Sequence, residues 1–196
     1  MNLKAKVLVA IMCVLMLSTS SYAFRFSVGG FGGLNIPIAQ EDTESGTAFG
    51  AKARIPLMGS IAIEPNIVFA ENGDASYDVE GGWNKTMTHE GGKYTSFGVD
   101  LVIGSIMGYK GFGAYGILGL SSSKFEKKGI PDLTKGTYWF GLGFEYGFTD
   151  QISLDVRGKA FIFPYKDDAN PNGDDKGSRK NGLVTVGLNY YFGFTE

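Results

Sequence analysis

The sequence predicts an all-β fold, a transmembrane eight-stranded antiparallel up-and-down β-barrel. Three observations predict it. First, residues 136–163 hold two alternating runs around one tight turn. Tyr138, Phe140, Leu142, Phe144, Tyr146 and Phe148 share one parity, and Trp139, Gly141, Gly143, Glu145 and Gly147 the other. After Thr149, Asp150 and Gln151 the alternation resumes, with Ile152, Leu154, Val156, Ala160 and Ile162 set against Ser153, Asp155, Arg157 and Lys159. Period two marks a strand with two different faces. Here the polar face mixes glycines with charges and the apolar face ends in aromatics, as in a barrel with lipid outside and a polar interior. Second, the alternation recurs in eight segments. Third, their connections run long, short, long, short, long, short, long. An even strand number with short turns on one side and long loops on the other is the layout of a membrane barrel.

Residues 1–23 read as a secretory signal. Lys4 and Lys6 supply the positive end, Val7 to Leu17 the apolar run, and Ser21-Tyr22-Ala23 a small-x-small cleavage site. The apolar run is too short to span a bilayer as a helix. The barrel domain then occupies residues 24–196. Cys13, the single cysteine, lies in the signal, so the expected mature chain has no disulfide framework. Residues 11–13 lack the small residues that a lipoprotein site places before its cysteine.

The first strand is Phe24 to Ile36, with Phe24, Phe26, Val28 and Leu34 outward and Arg25, Ser27 and Asn35 inward. Its glycines permit sharp curvature. The second, Thr47 to Ile55, turns Phe49, Ala51, Ala53 and Ile55 outward, and Lys52 and Arg54 inward. A tight turn at residues 56–59 leads into the third, Ser60 to Ala70, which sets Ile61, Ile63, Ile67 and Phe69 against Glu64 and Asn66. Pro65 cannot donate to a ladder, so a bulge or a missing bond is expected there. The fourth strand, Lys93 to Gly104, follows a long polar segment and turns Asp100 inward against Phe97, Val99, Leu101 and Ile103. The fifth is Gly111 to Ser122, after which residues 124–135 read as another long polar connection. The sixth and seventh are the alternating runs already described. Residues 164–182 are the longest charged loop, and the eighth strand is Leu183 to Phe192.

A chain of 196 residues supplies one domain. Its 30 glycines, 15 phenylalanines and 10 tyrosines suit an antiparallel all-β protein rich in turns. A formal charge of −2 gives no footprint for nucleic acid, and removal of Lys4 and Lys6 with the signal makes it −4. No later run reaches the length of a transmembrane helix.

Thr185, Gly187, Tyr190 and Phe192 give a polar residue, a glycine and two alternate aromatics in the last strand. With the strand count and loop alternation, they make the chain resemble the small eight-stranded outer-membrane barrels, such as the membrane domain of outer-membrane protein A and outer-membrane protein X. The resemblance covers residues 24–192 and implies a cell outer-membrane location. It also implies that these four residues are the assembly signal read by the outer-membrane assembly machinery. The chain departs from the pattern by continuing four residues beyond Phe192.

The candidate site is the interior. Parity places Arg25, Lys52, Arg54, Arg157 and Lys159 inside with Glu64, Asp100, Glu145 and Asp155. Five positive and four negative charges nearly cancel, which points to an interlocking ion-pair network, because buried charges are costly unless paired. Eight strands enclose a lumen just wide enough for side chains to fill. Opposite charges on neighbouring strands, Lys52 and Arg54 with Glu64 and Arg157 or Lys159 with Glu145, are the expected pairs.

The other motifs read as loop features. His89 is the single histidine, and the chain lacks both the His-x-Ser pattern of the outer-membrane deacylases and the Asp-Ser pair of the palmitoyl transferases. Asp168, Asn170, Asn172 and Gly173 match half of a calcium loop, but the twelfth position is Arg179 and Pro171 stiffens the turn. Gly29 to Gly33 precede no helix that a phosphate could cap. Two aromatic groups read as interfacial girdles: Phe24, Phe26, Phe148, Tyr190 and Phe192 at the short turns, and Phe69, Tyr94, Tyr138 and Phe163 near the long loops.

The expectation is therefore a monomeric, non-enzymatic barrel with a filled interior, outer-membrane lipid around it, no cofactor or bound metal, and a structural or surface-interaction role through four external loops. The alternative is a narrow channel for ions or small solutes. A lipid-modifying enzyme and a soluble exported ligand-binding barrel stand further back.

Overall fold

The structure, a computed structural model, describes residues 25–38, 43–78, 86–89, 91–105, 110–128, 130–166 and 176–193. Among these, eight strands close into an antiparallel barrel: β1 (Phe26–Ile38), β2 (Gly46–Met58), β3 (Ile61–Glu71), β4 (Lys93–Gly104), β5 (Gly111–Lys127), β6 (Ile130–Gly147), β7 (Ile152–Lys166) and β8 (Lys176–Phe192). Each strand pairs with its sequence neighbours, and β1 closes the ring on β8 from Phe26↔Phe192 to Ile38↔Lys180. Closure removes both sheet edges across the bilayer, where an unpaired peptide group has no water to turn to.

The alternation sorts the residues. Phe97, Phe112, Leu118, Leu120, Phe140, Leu142, Val186 and Leu188 stand exposed on the outer surface. Ser96, Asp100, Glu145, Arg157, Thr185 and Asn189, on the opposite parity, are buried inside. An apolar belt around a polar interior reverses the soluble arrangement and matches a wall solvated by lipid.

Turns close the short side tightly. Gly59 sits at φ +49°, a left-handed conformation that favours glycine, between β2 and β3. At the β6–β7 turn the Thr149 hydroxyl accepts the amides of Gln151 (3.1 Å) and Ile152 (3.0 Å). Pro65 interrupts the ladder without a bulge. Pairing runs through Lys52↔Asn66 and resumes at Ile55↔Ile63 in the same register, and the shift in that ladder falls at residues 56–58 instead. Missing one donor leaves the strand path unchanged.

Three expectations about strand ends are corrected. Residues 124–135 are not a long polar loop, because β5 continues to Lys127 and β6 begins at Ile130. The charged segment 164–182 is likewise mostly strand, with β7 reaching Lys166 and β8 starting at Lys176. A strand that rises beyond the bilayer meets water on its outer face, so polar residues there mark height above the membrane and not a break in pairing. The long segment after β3 also carries strands: Gly73–Asp78 pairs with Thr43–Glu44 and with Thr86–His89 in a small three-stranded sheet. His89 is one of its residues, while residues 1–24 and 167–175 lie outside the described residues.

Candidate functional site

The lumen is filled in strata. Near the short turns, Ala62, Val102, Tyr115 and Ile117 form a small apolar cluster. Above it lies the ionic layer. Arg54, from β2, donates Nε to Glu64 Oε2 (3.0 Å), Nη1 to Glu145 Oε2 (2.5 Å) and Nη2 to Asp155 Oδ2 (3.3 Å). Arg157, from β7, donates to both Glu64 oxygens and to both Asp155 oxygens, with Nη2 at 2.8 Å from each carboxylate. Lys52 Nζ reaches Asp155 Oδ2 at 2.5 Å. Three cations thus meet three carboxylates, and the cluster is neutral.

Uncharged groups complete it. Tyr115 donates its hydroxyl to Asp155 Oδ1 at 2.6 Å, and its ring lies 4.9 Å from the Arg54 guanidinium and 5.4 Å from that of Arg157. Tyr191 and Ser153 donate to Glu145, and the Asn189 amide lies 3.2 Å from both Glu145 and Asp155. Such bonds repay part of the cost of taking charges from water, and each guanidinium over an aromatic face gains a further attraction. Arg25 is also buried, its guanidinium 5.0 Å over the Tyr191 ring.

A second ion pair stands apart from the cluster. Lys159 Nζ meets Asp100 Oδ2 at 2.5 Å, and the same ammonium lies 4.6 Å over Trp139. Toward the loops the interior turns apolar. Tyr94, Phe125, Trp139, Phe161, Phe163 and Leu183 pack into one buried cluster with Ala48, Val68 and Ala70. Its rings touch edge to face and tilted, Tyr94 to Phe161 at 5.3 Å and Trp139 to Phe161 at 4.6 Å. Beside it Ser96, Ser121, Ser123 and Thr137 link hydroxyls across β4, β5 and β6. Asn35, Asn72 and Asn181 cap the stack with three mutual amide bonds of 2.6–2.9 Å.

All nine charged residues named from parity are therefore buried in the lumen. Their pairing differs from expectation. Arg54–Glu64 joins neighbouring strands, but Lys52 bonds Asp155 on β7 and not Glu64, and Arg157 and Lys159 do not bond Glu145. They cross the lumen, Arg157 to Glu64 on β3 and Lys159 to Asp100 on β4. In a barrel this narrow the facing strand is as near as the adjacent one, and strand order along the chain does not reveal it. The aromatic stratum was missed, and two girdle assignments are corrected: Tyr94 and Phe163 are buried inside. Their parity, shared with Asp100 and Lys159, carried that signal. Phe26, Phe148, Tyr190 and Phe192 do gather on the outer surface at the short turns, where Phe26 and Phe192 stack at 4.9 Å.

Of the four residues in the terminal-strand motif, Tyr190 and Phe192 face outward and Thr185 is buried in the lumen. Gly187 faces Phe31, where a Cβ would come within 2.8 Å of the Phe31 Cβ. Internal packing thus gives Gly187 a reason of its own. Among the described residues no group of acidic, histidine or cysteine side chains could hold a metal ion.

A closed antiparallel barrel with an apolar outer belt and an ion-paired interior defines a small outer-membrane β-barrel protein. The chain belongs to the outer membrane protein beta-barrel domain family, which it matches over residues 7–192. Its fold is similar to that of Neisserial surface protein A, with TM-score 0.59 and 15% identity over 85% of this chain and 97% of that one. The N-terminal barrel domain of Pseudomonas aeruginosa OprF is similar at TM-score 0.55 and 14% identity, covering 87% and 98%. OprG of Pseudomonas aeruginosa follows at TM-score 0.52 and 15% identity, covering 87% and 96%. No curated protein sequence matches the chain. Membership places the protein in the outer membrane.

Proposed function

We propose that the protein is a sealed, monomeric barrel that presents a surface outside the cell and passes no solute. The reading rests on the filled lumen. From the Tyr115 cluster to the Asn cap, each level holds bonded charges, hydroxyls or packed rings. The space between the two ionic groups measures only about 10 Å³. The surface is built by strands that rise past the belt. The β5–β6 hairpin carries Lys124, bonded on its outer face to Asp132 (2.7 Å) and to Glu126. These bonds, that to Asp132 first, raise the Lys124 ammonium above its usual pKa. The pairing of β6 with β7 stops at Tyr138↔Ile162, while the β5–β6 and β7–β8 ladders continue outward. The two hairpins above that point offer strand edges and charged faces to a partner. Outer-membrane lipid surrounds the belt, the assembly machinery inserts the chain through its last strand, and export leaves a mature chain beginning at Phe24.

The test is a planar-bilayer recording of refolded protein. Steady unit conductance would replace this reading with the narrow channel, while a silent bilayer holding heat-modifiable barrel supports it.

A further inference from the structure

The outer wall is uneven around the barrel. On β6 the outward belt residues are large, among them Phe140, Leu142 and Phe144. On β1, β2 and β3 several are small, and Gly30, Ala51, Ala53 and Pro65 line one open apolar groove of about 1240 Å³. Gly30 pairs with Ala51, and Ala51 with Ile67, so the small positions adjoin. Phe97 and Val99 of β4 rise on one flank, and Leu188 and Tyr190 of β8 on the other.

A second hollow, of about 210 Å³, begins two residues farther out on β2, β3 and β4, and its lining is amphipathic. On the groove side Phe49 and Phe69 stack at 5.3 Å. On the rim side stand Thr47, Glu71, Lys93 and Glu126. Register sets Lys93 opposite Glu71 on β3 and Glu126 on β5, and the Thr47 hydroxyl lies 3.0 Å from Glu71 Oε1, to which it donates. Outward positions two residues apart thus change from charged to aromatic to small on the way into the bilayer. Aromatic side chains below a charged row mark the membrane–water interface.

We infer that the two hollows form one binding site for a phospholipid whose head carries both a phosphate and an ammonium. This rests on the reading that outer-membrane lipid surrounds the belt, and it gives one such lipid a preferred place. The groove continues the lipid-facing surface, and charge selects the head. Lys93 donates to the phosphate, while Glu71 accepts the ammonium, both in charge-assisted bonds. A purely anionic head would meet Glu71 and Glu126 on either side of its one lysine. One acyl chain runs past Phe49 and Phe69 and lies on Ala51, Ala53 and Pro65, where it touches the floor and both flanks at once. Those added contacts bring dispersion attraction that a convex wall does not supply.

Native mass spectrometry of the refolded mature chain, released from micelles holding equal phosphatidylethanolamine and phosphatidylglycerol, tests the site. One phosphatidylethanolamine should stay bound in preference to phosphatidylglycerol. Glu71→Gln should remove that preference, and Lys93→Gln should lower retention of both lipids about tenfold. Ala51→Phe fills the groove and should abolish retention, whereas Ala114→Phe, an exposed belt position outside it, should leave retention unchanged. Each variant is first checked for the heat-modifiable form. Equal retention of the two lipids by the wild type would overturn the head assignment, and equal retention by the two Phe variants would overturn the groove. A dimer without lipid, dispersed by Ala51→Phe, would give the face to a second copy and overturn the lipid site. A barrel that inserts into liposomes yet retains no lipid sinks this site alone, while one that does not enter a bilayer sinks the lipid-belt reading with it.

Discussion

Arg54 holds three carboxylates at once, and this sets what its loss must do. Arg54→Ala leaves Glu64, Glu145 and Asp155 sharing Arg157 and Lys52, and breaking a buried pair costs about 3–5 kcal/mol because it strands a charge. The second-site changes then separate. Glu145 has Arg54 as its ion-pair partner, its other bonds coming from neutral Tyr191, Ser153 and Asn189, whereas Glu64 also binds Arg157. Adding Glu145→Ala to Arg54→Ala should therefore recover more stability than adding Glu64→Ala, read as urea midpoints of refolded protein. Equal recovery would mean that charge count matters and partner identity does not. Glycines give a second residue-scale prediction. A Cβ at Gly143 would fall 2.2–2.4 Å from the Tyr115 ring, while one at Gly158 meets nothing within 4 Å. Gly143→Ala should cost about 1–3 kcal/mol by pushing Tyr115 off Asp155, and Gly158→Ala should be neutral or slightly stabilising. Comparable midpoints for the two variants would remove close approach as the reason for Gly143. Parity made every interior charge legible in the sequence, since period two assigns a face to each residue. Partner choice was not legible, because it depends on which strands face each other across the lumen.

At the scale of elements, strand existence was readable and strand length was not. The core of each strand alternates apolar with polar residues because lipid lies on one side only. Beyond the belt the outer face is wet, and Lys124, Glu126, Asp132 and Thr134 replace the apolar residues of that face while the ladder continues and Phe125 stays buried inside. Membrane height explains the misreading better than weak propensity does. The topology makes a direct prediction. Residues 167–175 join the outer ends of β7 and β8, so protease added to intact cells should cut there, while the turns at Gly59 and Asp150 should resist. Cleavage of whole cells at Gly59 or Asp150 instead would mean that the barrel is inverted. The last strand carries another prediction. Tyr190 and Phe192 stand outward at its end, Phe192 stacked on Phe26 of the closing strand. Phe192→Ala should reduce the amount of heat-modifiable barrel in membranes, and removing residues 193–196 should matter less. The reverse order of effect would make Phe194 the docking aromatic.

For the molecule as a whole, the proposed seal turns on what fills the lumen. Barrel closure and a filled lumen both follow from eight strands, because the wall then encloses no more space than side chains occupy. The sequence suggested ionic filling alone. The interior instead stacks two layers of different chemistry, a bonded ionic layer below and packed rings above. Phe161 and Phe163 are at most 1% exposed, so replacing both with Ala opens a cavity among Tyr94, Phe125 and Trp139. That double variant should lose about 3–5 kcal/mol per ring at most, the range for a buried aromatic cut to Ala. It should still show no steady conductance in a planar bilayer, because the Lys52, Arg54 and Arg157 bridges to Glu64, Glu145 and Asp155 lie beneath the new space and span the lumen. Arg54→Ala in the wild-type background should likewise stay silent behind the intact rings. Conductance should appear when Arg54→Ala, Phe161→Ala and Phe163→Ala are combined in a chain that still folds to the heat-modifiable form. If the ring variant alone conducts, the ionic layer admits solute and the sealed reading fails. If the folded triple variant remains silent, the strata below and above those positions close the lumen by themselves, and the two-seal account is wrong.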